Sequence, residues 1–202
     1  MINTIIFDFG DIFINLDKDA PIVAFKKLGL TEWNDNLEQL NLNFEKGKIT
    51  ELQFIEGFQK YIPDASIEEI RQAWNSIIPD SAIPLYRLEF LQKLSVKYRL
   101  FLLSNTDAMH IDKFQHKAGM SFYGDFYQCF EKIYFSFELG LRKPDAEIFN
   151  YVIKKHNLSP KRTLFIDDKK ENTDAAKAAG LQVWNLQVGK EDVVNLFDKK
   201  IL

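Results

Sequence analysis

The chain has 202 residues, 46% of them hydrophobic, with 29 acidic and 26 basic side chains and a formal net charge of −3. That length and apolar content allow one ordinary domain or a core with a small insertion, and the charge balance argues against nucleic acid as a partner. A single cysteine, Cys129, and three scattered histidines exclude an intramolecular disulfide and a zinc cluster, so Cys129 reads as a small core residue. No apolar run approaches the roughly 20 residues of a membrane helix, and the chain starts directly in a strand pattern without a basic leader. A cytoplasmic home and no membrane partner are expected.

The first apolar run, Ile5 to Phe7, ends at Asp8. From about Asp19 to Ile78 the apolar spacing is helical, which predicts helices over Ala20 to Leu28, Trp33 to Glu45, Glu51 to Tyr61 and Ile67 to Ile77. Gly29, Gly47 and Pro63 read as stops, and Thr31, Thr50 and Ser66 as N-caps, with Thr50 and Gln53 a poor match to a capping box. These four helices make a small bundle, and "IPDSAIP", Ile78 to Pro84, reads as the return hinge. The aromatic residues Trp33, Phe44, Phe54, Phe58, Tyr61 and Trp74 could line a pocket, but at helical spacing they fit the bundle's own core better.

Downstream, helical stretches at Ile83 to Val96, Met109 to Ala118, Ala146 to Asn157 and Asn172 to Ala179 alternate with apolar runs. Those runs are Leu100 to Leu103, Ile133 to Phe137, Thr163 to Ile166 and Val183 to Leu186. Short apolar runs without polar alternation are strands buried on both faces, so the fold class is α/β, a doubly wound parallel sheet with an inserted four-helix bundle. The expected division is 1–17 with 82–202 for the sheet and 18–81 for the insertion.

Ligands of such sheets bind at the carboxyl ends of the strands. Those ends carry Asp8, then Ser104 with Asn105 and Thr106, then Asp167 with Asp168, while Lys143 follows the run Ile133 to Phe137. Singly, each could be a turn or helix cap or a solvated loop charge. Together, several carboxylates at one edge repel unless a cation sits among them, and oxygen donors without histidine favour Mg²⁺. A carboxylate nucleophile, an amine, a hydroxyl and a hard ion fit phosphoryl transfer.

The motifs "IIFDFG", "LLSNT", "LGLRKPDAEIF" and "TLFIDDKKEN" occur in that order over nearly the whole chain. In this the sequence resembles the haloacid dehalogenase superfamily, in particular phosphatase-like members with a helical cap after the first strand, and most closely the branch of sugar-1-phosphate phosphatases. The resemblance implies a Rossmann-like core and a Mg²⁺-dependent hydrolase of a small phosphorylated metabolite. It implies Asp8 as nucleophile, Ser104 and Lys143 as phosphoryl ligands, and Asp8, the Gly10 carbonyl, Asp168 and Asp167 around the metal, Asp167 directly or one shell out. Asn105 contributes through its backbone N–H, and Asn172 meets metal-bound water or substrate.

One position departs from the family pattern. Gly10 stands two residues after the nucleophile, where a second Asp usually acts as general acid and base, a loss of typically 10²- to 10⁴-fold. Asp11 is one residue out of register on an extended strand, although a glycine before it permits a turn. Asp11 therefore reads either as a substitute acid or as a brace for the turn, and a hemiacetal leaving group would need protonation less. Two other functions stay open: a phosphate-binding protein with impaired turnover, and a dehalogenase-type hydrolase, which would leave the doubled acid Asp167-Asp168 without a use. Lys46 and Lys48, flanking Gly47, are candidates to meet an anionic substrate, and the three histidines carry no motif. Oligomeric state is not readable from the pattern.

Overall fold

The computed structural model of the chain describes residues 1–80, 84–199 and 201–202. Strands β1 (Thr4–Phe7), β2 (Arg99–Ser104), β3 (Lys132–Phe135), β4 (Thr163–Asp167) and β5 (Gln182–Asn185) form a parallel sheet in the order β3-β2-β1-β4-β5. Ile6 sits in register with Phe101 on one side and Phe165 on the other. These three side chains belong to one apolar cluster, whereas Ile5, Phe7, Leu100, Leu102, Leu164 and Ile166 belong to a second on the opposite face. Both faces are covered, which is why the runs lack polar alternation; each such buried side chain contributes about 1.5–3 kcal/mol.

Four helices follow β1: α1 (Ala20–Lys27), α2 (Asp35–Glu45), α3 (Glu51–Gln59) and α4 (Ile67–Asn75). They bury their own cluster, with Phe25, Leu37, Phe44, Phe54, Phe58 and Ile70 at its centre. Phe25 stacks on Phe58 and Phe44 on Phe54, with ring centroids 4.4 and 4.3 Å apart. Trp33 and Tyr61, expected in this core, are instead 41% and 38% exposed. Asn34, not Thr31, caps α2, its side chain accepting from Leu37 N at 3.1 Å, so the helix begins after Trp33. At α3 the capping box is complete after all: Gln53 N donates to Thr50 Oγ1 at 3.2 Å and Thr50 N to Gln53 Oε1 at 2.9 Å. Glutamine serves there as glutamate would.

The expected hinge and the start of the next helix fall partly on residues 81–83, outside the described residues. From there α5 (Leu85–Ser95) and α6 (Ala108–Tyr127) pack on the face of Ile5 and Phe7. Gly119, at φ 75°, kinks α6 where the helix was expected to stop, and the chain resumes helical form beyond it. After β3 comes a short α7 (Ser136–Leu139), so Ser136 and Phe137 leave the strand expected to include them. The cause is local: Ser136 Oγ accepts from Thr106 N and donates to Thr106 O, both at 3.0 Å, tying that turn to the end of β2. Helices α8 (Ala146–Lys155) and α9 (Lys170–Ala178) cover the opposite face. Cys129 is buried, and no helix among the described residues is long and apolar enough to cross a membrane.

Candidate active site

The strand order reverses beside β1, and Asp8 follows its last residue there. Asp8 N donates to Ile166 O at 2.9 Å, which continues the β1–β4 ladder one residue further and brings Asp8 next to Asp167, the end of β4. Between the two carboxylates lies Lys143, 1% exposed, its Nζ 2.6 Å from Asp8 Oδ1 and 2.8 Å from Asp167 Oδ2. Burial disfavours the charge on Lys143, but Asp167 and Asp8 outweigh it and hold the ammonium above the ordinary lysine range. For Asp8, burial is the main cause of a pKa pushed up to about 7; Lys143 offsets part of it and Asp167 adds to it.

Asp167 is fully buried and its oxygens are taken. Oδ1 accepts from Lys169 N at 2.8 Å and from Asn172 Nδ2 at 3.0 Å, and Oδ2 accepts from Asn172 at 2.9 Å as well as from Lys143. Asn172, 2% exposed, leaves its Oδ1 buried at the cavity wall without a partner among the described residues. Asn105 grips the peptide of Lys143, donating from Nδ2 to its carbonyl at 2.7 Å and accepting from its N–H at 2.9 Å. Thus the residue after Ser104 positions the lysine through its side chain.

A second lysine bridges two more acids. Lys18 Nζ lies 2.6 Å from Asp11 Oδ2 and 3.0 Å from Asp168 Oδ2. Burial again opposes its charge, and the hydrogen bonds to Asp11 and Asp168 reverse that, raising the Lys18 pKa. Asp11 adopts φ 57°, a left-handed turn conformation that aspartate tolerates, and its Oδ1 accepts from Leu16 N at 3.0 Å. The turn brings Asp11 to the cavity rather than to the far side of a strand, but both its oxygens are already engaged. At Gly10 a Cβ would lie 2.6 Å from Leu16 Cδ1, so a side chain there would have to displace the end of that leucine.

Asp8, Gly10, Ser104, Asn105, Lys143, Asp168 and Asn172 line one cavity of about 290 Å³, with Asp167 directly behind them. Asp8, Asp167 and Asp168 each offer an oxygen, and the three atoms lie within 4.8 Å of one another. The two lysine-bridged pairs hold four carboxylates against two ammonium groups, leaving two negative charges. That balance and the all-oxygen donor set fit a hard divalent cation.

The insertion supplies the opposite wall through Asn41, Glu45, Trp74 and Ile77, with His110 beside them from α6. Asn41 Oδ1 is buried with no hydrogen-bond partner among the described residues. Lys46, expected near substrate, pairs with Asp145 at 2.9 Å, and its neighbour Glu45 with Arg142 at 3.0 Å. The pattern reading missed Lys18, Asn41 and the pairing of Trp74 with Asp107 and His110. Of these only "DAMH", with acid and histidine three apart at a helix start, carried a local signal.

The family model of haloacid dehalogenase-like hydrolases matches residues 5–186. The chain belongs to this family. It is 29% identical over 201 residues to a D-ribitol-5-phosphate phosphatase of Bacteroides thetaiotaomicron, covering 95% of each chain. It is 30% identical over 181 residues to a sesquiterpene phosphatase of Aspergillus oryzae, covering 87% of this chain and 85% of that one. Among solved structures, a family enzyme of B. thetaiotaomicron in complex with magnesium and inorganic phosphate superposes with a TM-score of 0.84 at 35% identity, over 98% of this chain and 100% of that one. As a haloacid dehalogenase-like hydrolase, the chain is an enzyme of the α/β class expected from its strand ends.

Proposed function

We propose that this hydrolase is a Mg²⁺-dependent phosphatase acting on a small phosphomonoester through an aspartyl-phosphate at Asp8. The observation that carries the reading is Lys143, buried between Asp8 and Asp167 with Asp168 alongside. Asp8, Asp168 and the Gly10 carbonyl would hold the ion, with Asp167, whose oxygens are engaged, one shell out. The ion supplies Lewis-acid neutralisation of the phosphoryl oxygens.

A free oxygen of Asp8 attacks phosphorus while the P–O bond to the alcohol breaks, and the departing alkoxide takes its proton from solvent water, leaving hydroxide to the bulk. Lys143 and the Ser104 hydroxyl stabilise the charge on the transferring group, with the Asn105 backbone N–H beside them. Water then attacks the aspartyl-phosphate, breaking its P–O bond to Asp8, releasing phosphate and restoring the carboxylate. Asn172 orients Asp167 and offers its unpartnered Oδ1 to metal-bound water.

The chain divides into a catalytic core, 1–17 and 82–202, and a cap, 18–81, whose Asn41 and Glu45 face the leaving group. An unpaired amide and a carboxylate suit a hydroxylated substrate such as a sugar or polyol phosphate, and the ribitol-phosphate relative supports that class. A dehalogenase reading leaves the net charge of the acid cluster unexplained. A phosphate-binding protein without turnover is separated by assay: hydrolysis of a polyol phosphate with Mg²⁺, abolished by Asp8→Asn and by chelation, supports the phosphatase. Tight phosphate binding without turnover, or halide release without Mg²⁺, overturns it.

A further inference from the structure

His110 stands in the first turn of α6 with both ring nitrogens against acceptors. Nδ1 lies 2.9 Å from Asp107 Oδ2, and Nε2 lies 3.2 Å from the carbonyl oxygen of Trp74. A carbonyl oxygen has no proton to give, so Nε2 must carry one. A neutral ring would then aim the lone pair of Nδ1 at a carboxylate. With Asp107 ionised, as its own donors hold it, these contacts place protons on both nitrogens and make the ring an imidazolium.

Its surroundings are built for that charge. Trp74 lies in the last turn of α4, where backbone carbonyls lack helical partners and the helix dipole is negative. Its indole lies nearly parallel to the imidazole, centroids 5.1 Å apart at 13°, presenting a π face to the cation. Asp107, 1% exposed, also accepts from Trp74 Nε1 at 3.0 Å and from His110 N at 3.0 Å. Asp107 and His110 belong to the sheet side and Trp74 to the insertion, so these contacts cross the seam, and His110 and Trp74 both line the cavity of Asp8.

We propose that His110 is a positioning residue, an imidazolium clamped between Asp107 and the end of α4 that holds the insertion closed over the catalytic cavity. Neutralising it releases the clasp. The clasp itself stands on these contacts, while its effect on rate rests on the phosphatase reading.

The charges around His110 agree in sign. Asp107 faces it from its own turn, α4 presents its negative pole, and α2 contributes Glu45, itself paired with Arg142. Lys18 and Lys143, across the cavity, are each held between two carboxylates. Burial opposes the imidazolium, but Asp107 and the Trp74 carbonyl outweigh it, raising the pKa of His110; Asp107, although buried, is held low by His110 and by the Trp74 indole N–H. A raised histidine contributes stability that is complete below its ordinary value and disappears as pH rises through the folded-state value.

The test is nitrogen-resolved NMR of the wild-type protein at pH 7.5, a full unit above the ordinary histidine pKa of about 6.5. Both His110 ring nitrogens should show imidazolium shifts; one pyridine-like nitrogen overturns the proposal. Asp107→Asn, which keeps a good helix cap, should lower the pH at which His110 loses its proton, and an unchanged titration overturns it. With ribitol 5-phosphate and Mg²⁺ as probe, His110→Phe keeps a stacking ring and loses the charge. Its kcat/KM should fall about tenfold, a typical coupling, and the alkaline decline of the wild-type profile attributable to His110 should vanish. A Phe variant with wild-type rate and profile overturns the positioning role. If wild-type protein hydrolyses no phosphomonoester, the phosphatase reading fails, while the NMR signature still decides on the clasp.

Discussion

Asn105 and Lys143 exchange two hydrogen bonds, the side-chain amide of one closing on the peptide group of the other at 2.7 and 2.9 Å. Lys143 is therefore aligned by the residue that follows Ser104, not by its own loop alone. Replacing Asn105 with Ala removes both bonds at once. Misplacement by about 1 Å costs on the order of 10²-fold in rate, so steady-state kinetics of Asn105→Ala should show kcat down 10- to 10²-fold with a smaller change in KM. Two lost hydrogen bonds should also lower unfolding stability by about 1–3 kcal/mol in a denaturant titration.

Removing Lys143 itself has a different signature. In metal-free protein, Lys143→Met leaves Asp8 and Asp167 buried side by side without their shared cation. Breaking one side of a buried pair typically costs about 3–5 kcal/mol. Denaturant melts should show a loss of that order, partly recovered by millimolar Mg²⁺, with turnover abolished whether or not the metal is added.

The sheet and its strand ends were legible because buried parallel strands are written as bare apolar runs and because Asp8, Ser104 and Asp167 terminate them. The four-helix insertion was legible from period and stops. What pattern could not carry was side-chain reach. Lys18 crosses 150 residues of chain to meet Asp168, and Trp74 meets Asp107 across 33, neither of which leaves a local trace. Lys46 misled for the same reason: its flexible stem next to Gly47 suits a substrate contact or an ion pair equally, and only the fold places Asp145 within its reach.

The raised pKa of Asp8 makes metal-free stability depend on pH with a definite sign. The unfolded carboxylate ionises near the ordinary aspartate value of 3.8 and the folded one at about 7, so between those values the native state binds the extra proton. Stability therefore falls as pH rises through that window and levels off above it. Asp8→Asn should remove this slope and leave the metal-free variant more stable than wild type at pH 8, by an amount on the order of 2–4 kcal/mol. Thermal or urea melts in chelator from pH 4.5 to 8 measure it; a wild-type curve parallel to that of the variant contradicts the expectation.

Gly47 makes the seam between insertion and sheet testable from its other side. Its φ is +62°, and a Cβ there would run into the carbonyl oxygen of Phe137, the backbone that follows β3. Gly47→Ala must shift this loop and weaken the adjoining Lys46–Asp145 and Glu45–Arg142 pairs. Left-handed strain alone costs about 1–2 kcal/mol. The variant should melt lower and lose kcat/KM, whereas Lys48→Ala, at an exposed neighbouring position, should change stability by less than about 0.5 kcal/mol.

Asp11 divides two accounts of how the leaving group is protonated. Its oxygens are engaged by Leu16 N and Lys18 Nζ, which makes it a brace of the turn that carries Asp8 and Gly10. A brace acts equally on every substrate, because it sets the place of the nucleophile. A general acid matters only where the departing oxygen is basic, and there it is worth about 10²- to 10⁴-fold. Rates of Asp11→Asn relative to wild type on 4-nitrophenyl phosphate and on an alkyl or polyol phosphate separate the two. The bracing geometry predicts the same reduction, within about threefold, for both leaving groups. A loss of 10²-fold or more confined to the alkyl ester would instead make Asp11 the proton donor that Gly10 cannot be.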